Sequence, residues 1–376
     1  MKVILIGPAF PLRGGIADFN EALAISLQDA GHQVIIYSFN YQYPTLLFPG
    51  TSQVAAGEAP KNLIIRPTLN SVNPLSWYRT ASEIISEKPD LVLIRYWIPF
   101  MGPALGTVAK KIRQKKIKVI AITDNVIPHE KRPGDKMLTK YFINQCDGFI
   151  TMSQSVYDEL NQFTDTNDKI LLPHPIYNIF GDRVVKSVAR KNIGMNDNDK
   201  VILFFGFIRA YKGLNLLLDA MSDKRIRNGG IKLVIAGEFY EDKAVYLEKI
   251  KTNELSQSVI LHTEFIDKGK VKDYFCAADM VVQPYLNATQ SGITQIAYYF
   301  GRPMLVTNVG GLAEIVPDKR VGYVTEKKAS AIADAICDFY DNNREKEFSI
   351  NVDLDKEKFS WENFIEGVFR LYDKIK

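Results

Sequence analysis

The sequence predicts an α/β protein made of two doubly wound, parallel-sheet domains, and three observations carry that prediction. The chain opens as strand, loop, helix and strand: an apolar run at 3–6, a loop at 7–15, a helix with Phe19, Ala22, Leu23, Ile25 and Leu27 on one face, then a strand at 33–37. Strands joined through a helix run parallel in one sheet. The alternation halts in a polar stretch at 177–199 and restarts with the apolar run 201–205. A chain of 376 residues also exceeds one ordinary core and suits two domains, expected over 1–180 and 190–358.

Within the first domain, strands are expected at 63–66 and 90–95 around a helix starting near Pro74, then at 118–123, 148–152 and 169–172. A helix is expected at 136–146, and Ser153 or Ser155 caps the next. The first loop lacks G-x-G-x-x-G, which argues against a dinucleotide oxidoreductase. It carries Arg13-Gly14-Gly15 instead. The connection 41–62 is long, with apolar Leu46, Leu47 and Phe48, and an aromatic run at 96–100 follows a strand end, the ligand side of an open α/β sheet. Residues 44–50 and 96–101 are therefore candidate acceptor walls, with ordinary aromatic packing as the alternative.

In the second domain the strand 201–205 leads to a helix with Leu214, Leu217, Leu218 and Met221 on one face, and strands follow at 231–236 and 259–262. Residues 279–316 hold the densest pattern: a buried strand from Met280 ends at Pro284, Gln290, Ser291 and Gly292 open a helix, a strand covers 304–306, and Gly310-Gly311 open a further helix bearing Glu314. Free N–H groups and the positive end of the dipole make such helix starts favourable for an anion, and Gly292 lets a ligand approach the backbone. An amphipathic helix is expected at 328–342 and a last one up to Tyr372.

Composition narrows the classes. With 46% hydrophobic and 24% charged residues the chain is ordinarily globular, and a net charge of +4 over this length gives no case for nucleic acid. Cys146, Cys276 and Cys337 have neither metal spacing nor an even count, which fits buried thiols in a reducing compartment. The first apolar run stops at Gly7-Pro8 without a cleavage site, and no apolar run reaches the ~20 residues of a membrane span. A cytoplasmic protein is expected. Residues 110–118 carry six basic side chains and no acid, a solvated helix end or else a peripheral patch for the inner face of an anionic membrane.

The series Pro284-Tyr285, Gln290-Ser291-Gly292, Ala297, Gly301-Arg302-Pro303 and Gly310-Gly311-x-x-Glu314 resembles the C-terminal half of retaining glycosyltransferases of the GT-B fold, family 4 (glycosyl transferases group 1). A second signature, G-x-x-R-x-x-K-G-x-x-x-L-L-x-A, is complete from Gly206 through Arg209, Lys212 and Gly213 to Ala220. The resemblance implies two Rossmann-like domains facing a central crevice, with the helix 360–376 packing back on the first. It implies transfer of a hexose-type sugar from a nucleotide-diphosphate sugar to an acceptor hydroxyl with retention, in cell-surface polysaccharide or glycan synthesis. A glycan or a lipid-linked molecule is the implied acceptor.

Carried over residue by residue, the catalytic group is Arg209, Lys212 and His129, the last in a loop after the strand 118–123. The donor-binding group is Gly14, Gly15, Gly206, Glu238, Phe265, Ile266, Gln290, Ser291, Gly292, Ile293 and Gln295. Two cations at a strand end are what a diphosphate leaving group needs, and they should matter more to turnover than to folding. In the resembling family the leaving phosphate oxygen helps deprotonate the acceptor, so neither metal nor cofactor is expected, and Asp353-Leu354-Asp355 is discounted as a metal motif.

The pattern departs from the family where two motif glutamates would stand: here Ala288 and Ile296, with Gln290 and Gln295 as neighbouring amides. Asp124 likewise holds the position directly after its strand, ahead of His129. A nucleotide-sugar epimerase and a weakly catalytic or non-catalytic scaffold of the same fold are the alternatives.

Overall fold

The computed structural model describes residues 1–44, 54, 60, 62–128, 132–176, 179–288 and 291–376. These divide into two compact units, 1–175 with 360–376, and 176–359.

The first unit is built on seven parallel strands, β1 (Lys2–Ile6), β2 (Gln33–Tyr41), β3 (Ile64–Asn70), β4 (Leu91–Tyr96), β5 (Lys118–Thr123), β6 (Gly148–Thr151) and β7 (Lys169–Leu171). Their order is β3-β2-β1-β4-β5-β6-β7. Both faces of the centre are covered, so β4 is buried at all six positions and reads as a continuous apolar run broken only by Arg95. The helix Trp361–Ile375 belongs to this unit, because Trp361, Phe364, Val368, Leu371 and Tyr372 form a buried stripe at helical spacing. Trp361 and Phe364 lie 5.2 and 5.7 Å from Phe19 of the helix Gly15–Asp29.

The second unit has six parallel strands, β8 (Lys200–Phe205), β9 (Ile231–Ala236), β10 (Val259–His262), β11 (Met280–Gln283), β12 (Met304–Thr307) and β13 (Gly322–Thr325), ordered β10-β9-β8-β11-β12-β13. Strand β13 is absent from the sequence reading. Its four residues have no apolar run and are held by their register with β12 rather than by their own pattern. The helices Lys186–Asn192, Lys224–Asn228 and Glu345–Asp355 were also hidden. Lys186–Asn192 is mostly polar and is anchored by Arg190, whose guanidinium donates to Asp279 at 2.8 Å. Glu345–Asp355 buries only Phe348, Val352 and Asp355.

In both sheets the chain reverses its winding next to the first strand, between β1 and β4 in one and between β8 and β11 in the other. The carboxyl ends of such a strand pair open a crevice in which doubly wound sheets bind ligands. The three cysteines are buried and unbridged. Among the described residues no helix is long and apolar enough to cross a membrane, and no cluster of three His, Cys, Asp or Glu side chains is arranged for a metal.

Candidate functional site

The second unit concentrates its unusual chemistry at the β8/β11 reversal. Beyond Phe205 the chain turns at Gly206 (φ 98°), and a Cβ on neighbouring Gly237 would sit 2.3 Å from the Gly206 carbonyl oxygen. A tight turn, Ala210–Lys212, then ends at Gly213 (φ 71°), where a Cβ would lie 1.9 Å from the Pro284 carbonyl oxygen. Only glycine permits that approach. The Leu286 amide donates to the Tyr211 carbonyl at 2.7 Å, so the cation-bearing turn is clamped onto the end of β11.

The clamp sets Lys212 under cover. It is 9% exposed, and its Nζ lies 3.1 Å from where a Gly206 Cβ would be, a point itself 3.4 Å from Ile293 Cδ1. Burial, reinforced by the Arg209 charge, lowers the ammonium to about 8. Arg209 is half-buried, with its guanidinium 5.1 Å from the Tyr240 ring centre. Among the described residues neither cation has a carboxylate within ion-pair distance. Two positive charges, one desolvated, thus stand unbalanced at the ligand end of the sheet.

Facing them is the helix Gly292–Tyr299, capped by Ser291, whose hydroxyl accepts from the Ile293 amide at 3.2 Å. That amide is therefore already engaged, and the anion-facing donors of this turn are fewer than the sequence implied. The Thr294 hydroxyl donates to the Ser291 carbonyl at 2.5 Å and stiffens the turn. Gln295 is fully buried, as is Gln283 at the end of β11, and among the described residues no side-chain amide atom of either has a hydrogen-bond partner. Orphaned buried amides are costly and in native proteins mark water or ligand. Sequence reasoning missed Gln283; its signal was one polar residue closing the otherwise apolar strand MVVQ. Ala288 and Ile296 are both 5% exposed.

The structure gathers Gly206, Arg209, Lys212, Ser291, Gly292, Ile293 and Gln295 on the two elements that leave the reversal. Glu238 follows β9, the next strand, and its carbonyl accepts from the Ile208 amide at 2.8 Å. Phe265 and Ile266 follow the edge strand β10, two strands from β8, and Phe265 is 39% exposed. His129 and Gln290 lie outside the described residues, as do 45–50 of the first candidate wall.

In the first unit Gly14 (φ 116°) caps the helix Gly15–Asp29, and, its chain neighbours aside, no atom of the described residues lies within 4 Å of where a side chain would begin. The aromatic run after β4 is core rather than wall: Tyr96, Trp97 and Met101 are buried, and Ile98 and Phe100 pack against them. Asp124 is held by Arg95, which donates at 2.7 and 2.5 Å, both side chains being buried. The guanidinium sits 3.8 Å from the Phe19 ring centre. His174 packs on the same ring, its Nδ1 2.8 Å from the Pro175 carbonyl, which accepts from it; burial and the nearby Arg95 lower the imidazole to about 3. Asp353 and Asp355, discounted as a metal motif, pair with Arg183 and Arg320.

Two doubly wound parallel domains of this size, with paired cations at the reversal of the second, define the GT-B class of transferase, and comparison with known proteins agrees. Residues 13–175 match the family model described as Glycosyltransferase Family 4, and 199–342 match that of Glycosyl transferases group 1. An uncharacterized glycosyltransferase of Methanocaldococcus jannaschii is 24% identical over 99% of this chain and 98% of its own. Sucrose-phosphate synthase from Thermosynechococcus elongatus superposes with a TM-score of 0.77 at 17% identity, covering 100% of this chain and 99% of its own. Anabaena HepE in complex with UDP-glucose does so with a TM-score of 0.75 at 14% identity over 99% of both chains. The chain belongs to the family 4, group 1 glycosyltransferases.

Proposed function

We propose that this glycosyltransferase takes a hexose from a nucleotide-diphosphate sugar and delivers it, with retention, to an acceptor hydroxyl during synthesis of cell-surface polysaccharide or glycan. The observation that carries the reading is the unbalanced pair Arg209 and Lys212 beside Gly206 and Ile293 at the β8/β11 reversal. As the bond from the sugar to the diphosphate breaks, negative charge grows on the leaving phosphate. Fixed cations already in place stabilise that charge without reorganisation. Gly206 and Gly292 let the diphosphate lie against backbone, Gln290 and Gln295 take the sugar or ribose hydroxyls in place of the motif carboxylates, and Glu238, Phe265 and Ile266 border the nucleoside. The leaving phosphate oxygen receives the acceptor proton, His129 contacts the donor sugar, and Gly14 and Gly15 lie against the phosphates.

In this reading Arg209 and Lys212 do the charge stabilisation, and chelators leave transfer unchanged. The protein acts at the cytoplasmic face of an anionic membrane on a glycan or lipid-linked acceptor. Anabaena HepE, crystallised with UDP-glucose, shares the fold and makes that donor the first to try. Buried, apolar Ala288 and Ile296 favour one competing reading, a scaffold that binds donor without turning it over. Incubation with UDP-, GDP- and ADP-sugars, followed by NMR of the released or transferred sugar, separates the two. Product with the donor's anomeric configuration supports the proposal; inverted product removes retention, and donor binding with no turnover across acceptors favours the scaffold.

A further inference from the structure

Away from the cations of the second unit, the first unit carries an open pocket of about 610 Å³ lined by Lys110, Arg113, Lys116, Lys118, Lys376 and one acidic side chain, Asp147. Lys110 and Arg113 end the helix Gly102–Arg113, Lys118 begins β5, and Asp147 directly precedes β6. The pocket therefore lies at the amino end of the strands. A six-residue strand, roughly 20 Å long, separates this edge from the carboxyl ends where Asp124 and the Gly7 loop stand. It is not part of the proposed transfer site.

Asp147 does not balance the pocket. Its carboxylate accepts from Arg113 Nε at 2.8 Å and from the Val119 amide at 2.9 Å, so it is spent on local structure. Among the described residues Lys110, Lys116 and Lys118 have no carboxylate within ion-pair distance. A helix C-terminus favours cations in its last turn, which accounts for Lys110 and Arg113. It does not account for Lys116 and Lys118, which lie beyond the helix end and add their charge to the same concavity. Gln114 and Gln145 line the pocket too and supply neutral amide donors. A concave array of ammonium groups and amides, with its one acidic side chain already occupied, matches an anion with several strong acceptor oxygens.

We propose that this pocket is a phosphate site, distinct from the nucleotide-sugar site and independent of the transferase reading. The phosphate comes from a phospholipid headgroup or from a free phosphate, and one experiment on the full chain distinguishes them. Wild type and a K110Q/K116Q/K118Q variant are sedimented with phosphatidylcholine vesicles, with and without phosphatidylglycerol, and titrated calorimetrically with inorganic phosphate. At about fivefold in equilibrium constant per lysine near an anionic surface, the triple variant should partition onto the anionic vesicles roughly a hundredfold more weakly. Vesicle binding that needs phosphatidylglycerol and is lost in the variant identifies a headgroup site. Binding of inorganic phosphate that is lost in the variant identifies a site for free phosphate. The inference is overturned if wild type binds neither, or if the variant binds both as wild type does. An unchanged thermal midpoint and nucleotide-sugar affinity in the variant separate loss of this site from loss of the fold or of the donor site.

Discussion

Replacing Lys212 with methionine should make the protein more stable and much less active. The ammonium is buried beneath the turn that Gly213 locks against Pro284, and it is held from its ordinary value of 10.5 to about 8. The unfolded chain therefore binds a proton here more tightly than the folded chain does. At pH 7 both states are protonated, and the folded state carries a burial cost of about 3 kcal/mol relative to a neutral side chain. That cost fades as pH rises from about 8 to the unfolded value near 10.5, so stability rises through this window. Methionine fills a similar volume without charge. Lys212→Met should raise the thermal midpoint by roughly 5–10 °C at pH 7 for a unit of this size and flatten the alkaline window, while transfer falls by about 10²- to 10³-fold. In wild type, kcat/KM should also fall above pH 8, where the free enzyme loses this charge. Scanning calorimetry at pH 7 and 10 with initial rates on the best donor measures both. A variant that is stabilised yet transfers at the wild-type rate would remove Lys212 from the reaction. A variant that is destabilised would contradict the burial argument itself.

Four further outcomes are expected. Arg209→Ala should lower transfer by about 10²- to 10³-fold with a near wild-type midpoint in a melt, since Arg209 is half-buried and has no ion pair among the described residues. Gly213→Ala should destabilise by more than about 2 kcal/mol in urea titration, because it meets both a left-handed backbone and the Pro284 carbonyl. Arg95→Met should cost about 3–5 kcal/mol by removing the buried guanidinium that donates to the Asp124 carboxylate, and the Arg95→Met/Asp124→Leu pair should recover most of it. For His174, held near 3 when folded and near 6.5 when unfolded, the unfolded state takes up the proton first, so stability falls as pH drops below about 6.5. Urea titrations at pH 7 and 4.5 should show a loss of about 2–3 kcal/mol that His174→Phe largely removes.

How far the sequence could be read follows from what each element depends on. Strands such as β1, β5 and β9 are buried on both faces and announce themselves as apolar runs. Strand β13 and the helix Glu345–Asp355 owe their form to partners distant in sequence, β12 for the one and Arg183 and Arg320 for the other, and leave little local pattern. The aromatic run after β4 misled because aromatic side chains at a strand end look alike in sequence whether they face ligand or core. At the site, Arg209, Lys212 and Ser291 could be named in advance because they stand in motifs that resemble the family's, and the structure places them at a turn and a helix cap. The Arg95–Asp124 pair and the orphaned Gln283 were not, since burial of a polar group is a property of the packed neighbours. The clash that obliges glycine at 213 became visible only once β11 lay beside β8.

A second unit that holds a nucleotide-diphosphate sugar through Arg209 and Lys212 should lose that ligand when both charges are removed. Calorimetric titration of the wild-type chain and of an Arg209→Ala/Lys212→Met variant, with UDP-, GDP- and ADP-sugars in the presence of chelator, tests it directly. One nucleotide class should bind wild type, and the double variant, still folded by its melting profile, should bind it at least a hundredfold more weakly. Equal affinity in the two proteins, or no binding by wild type until a divalent metal is restored, would contradict it.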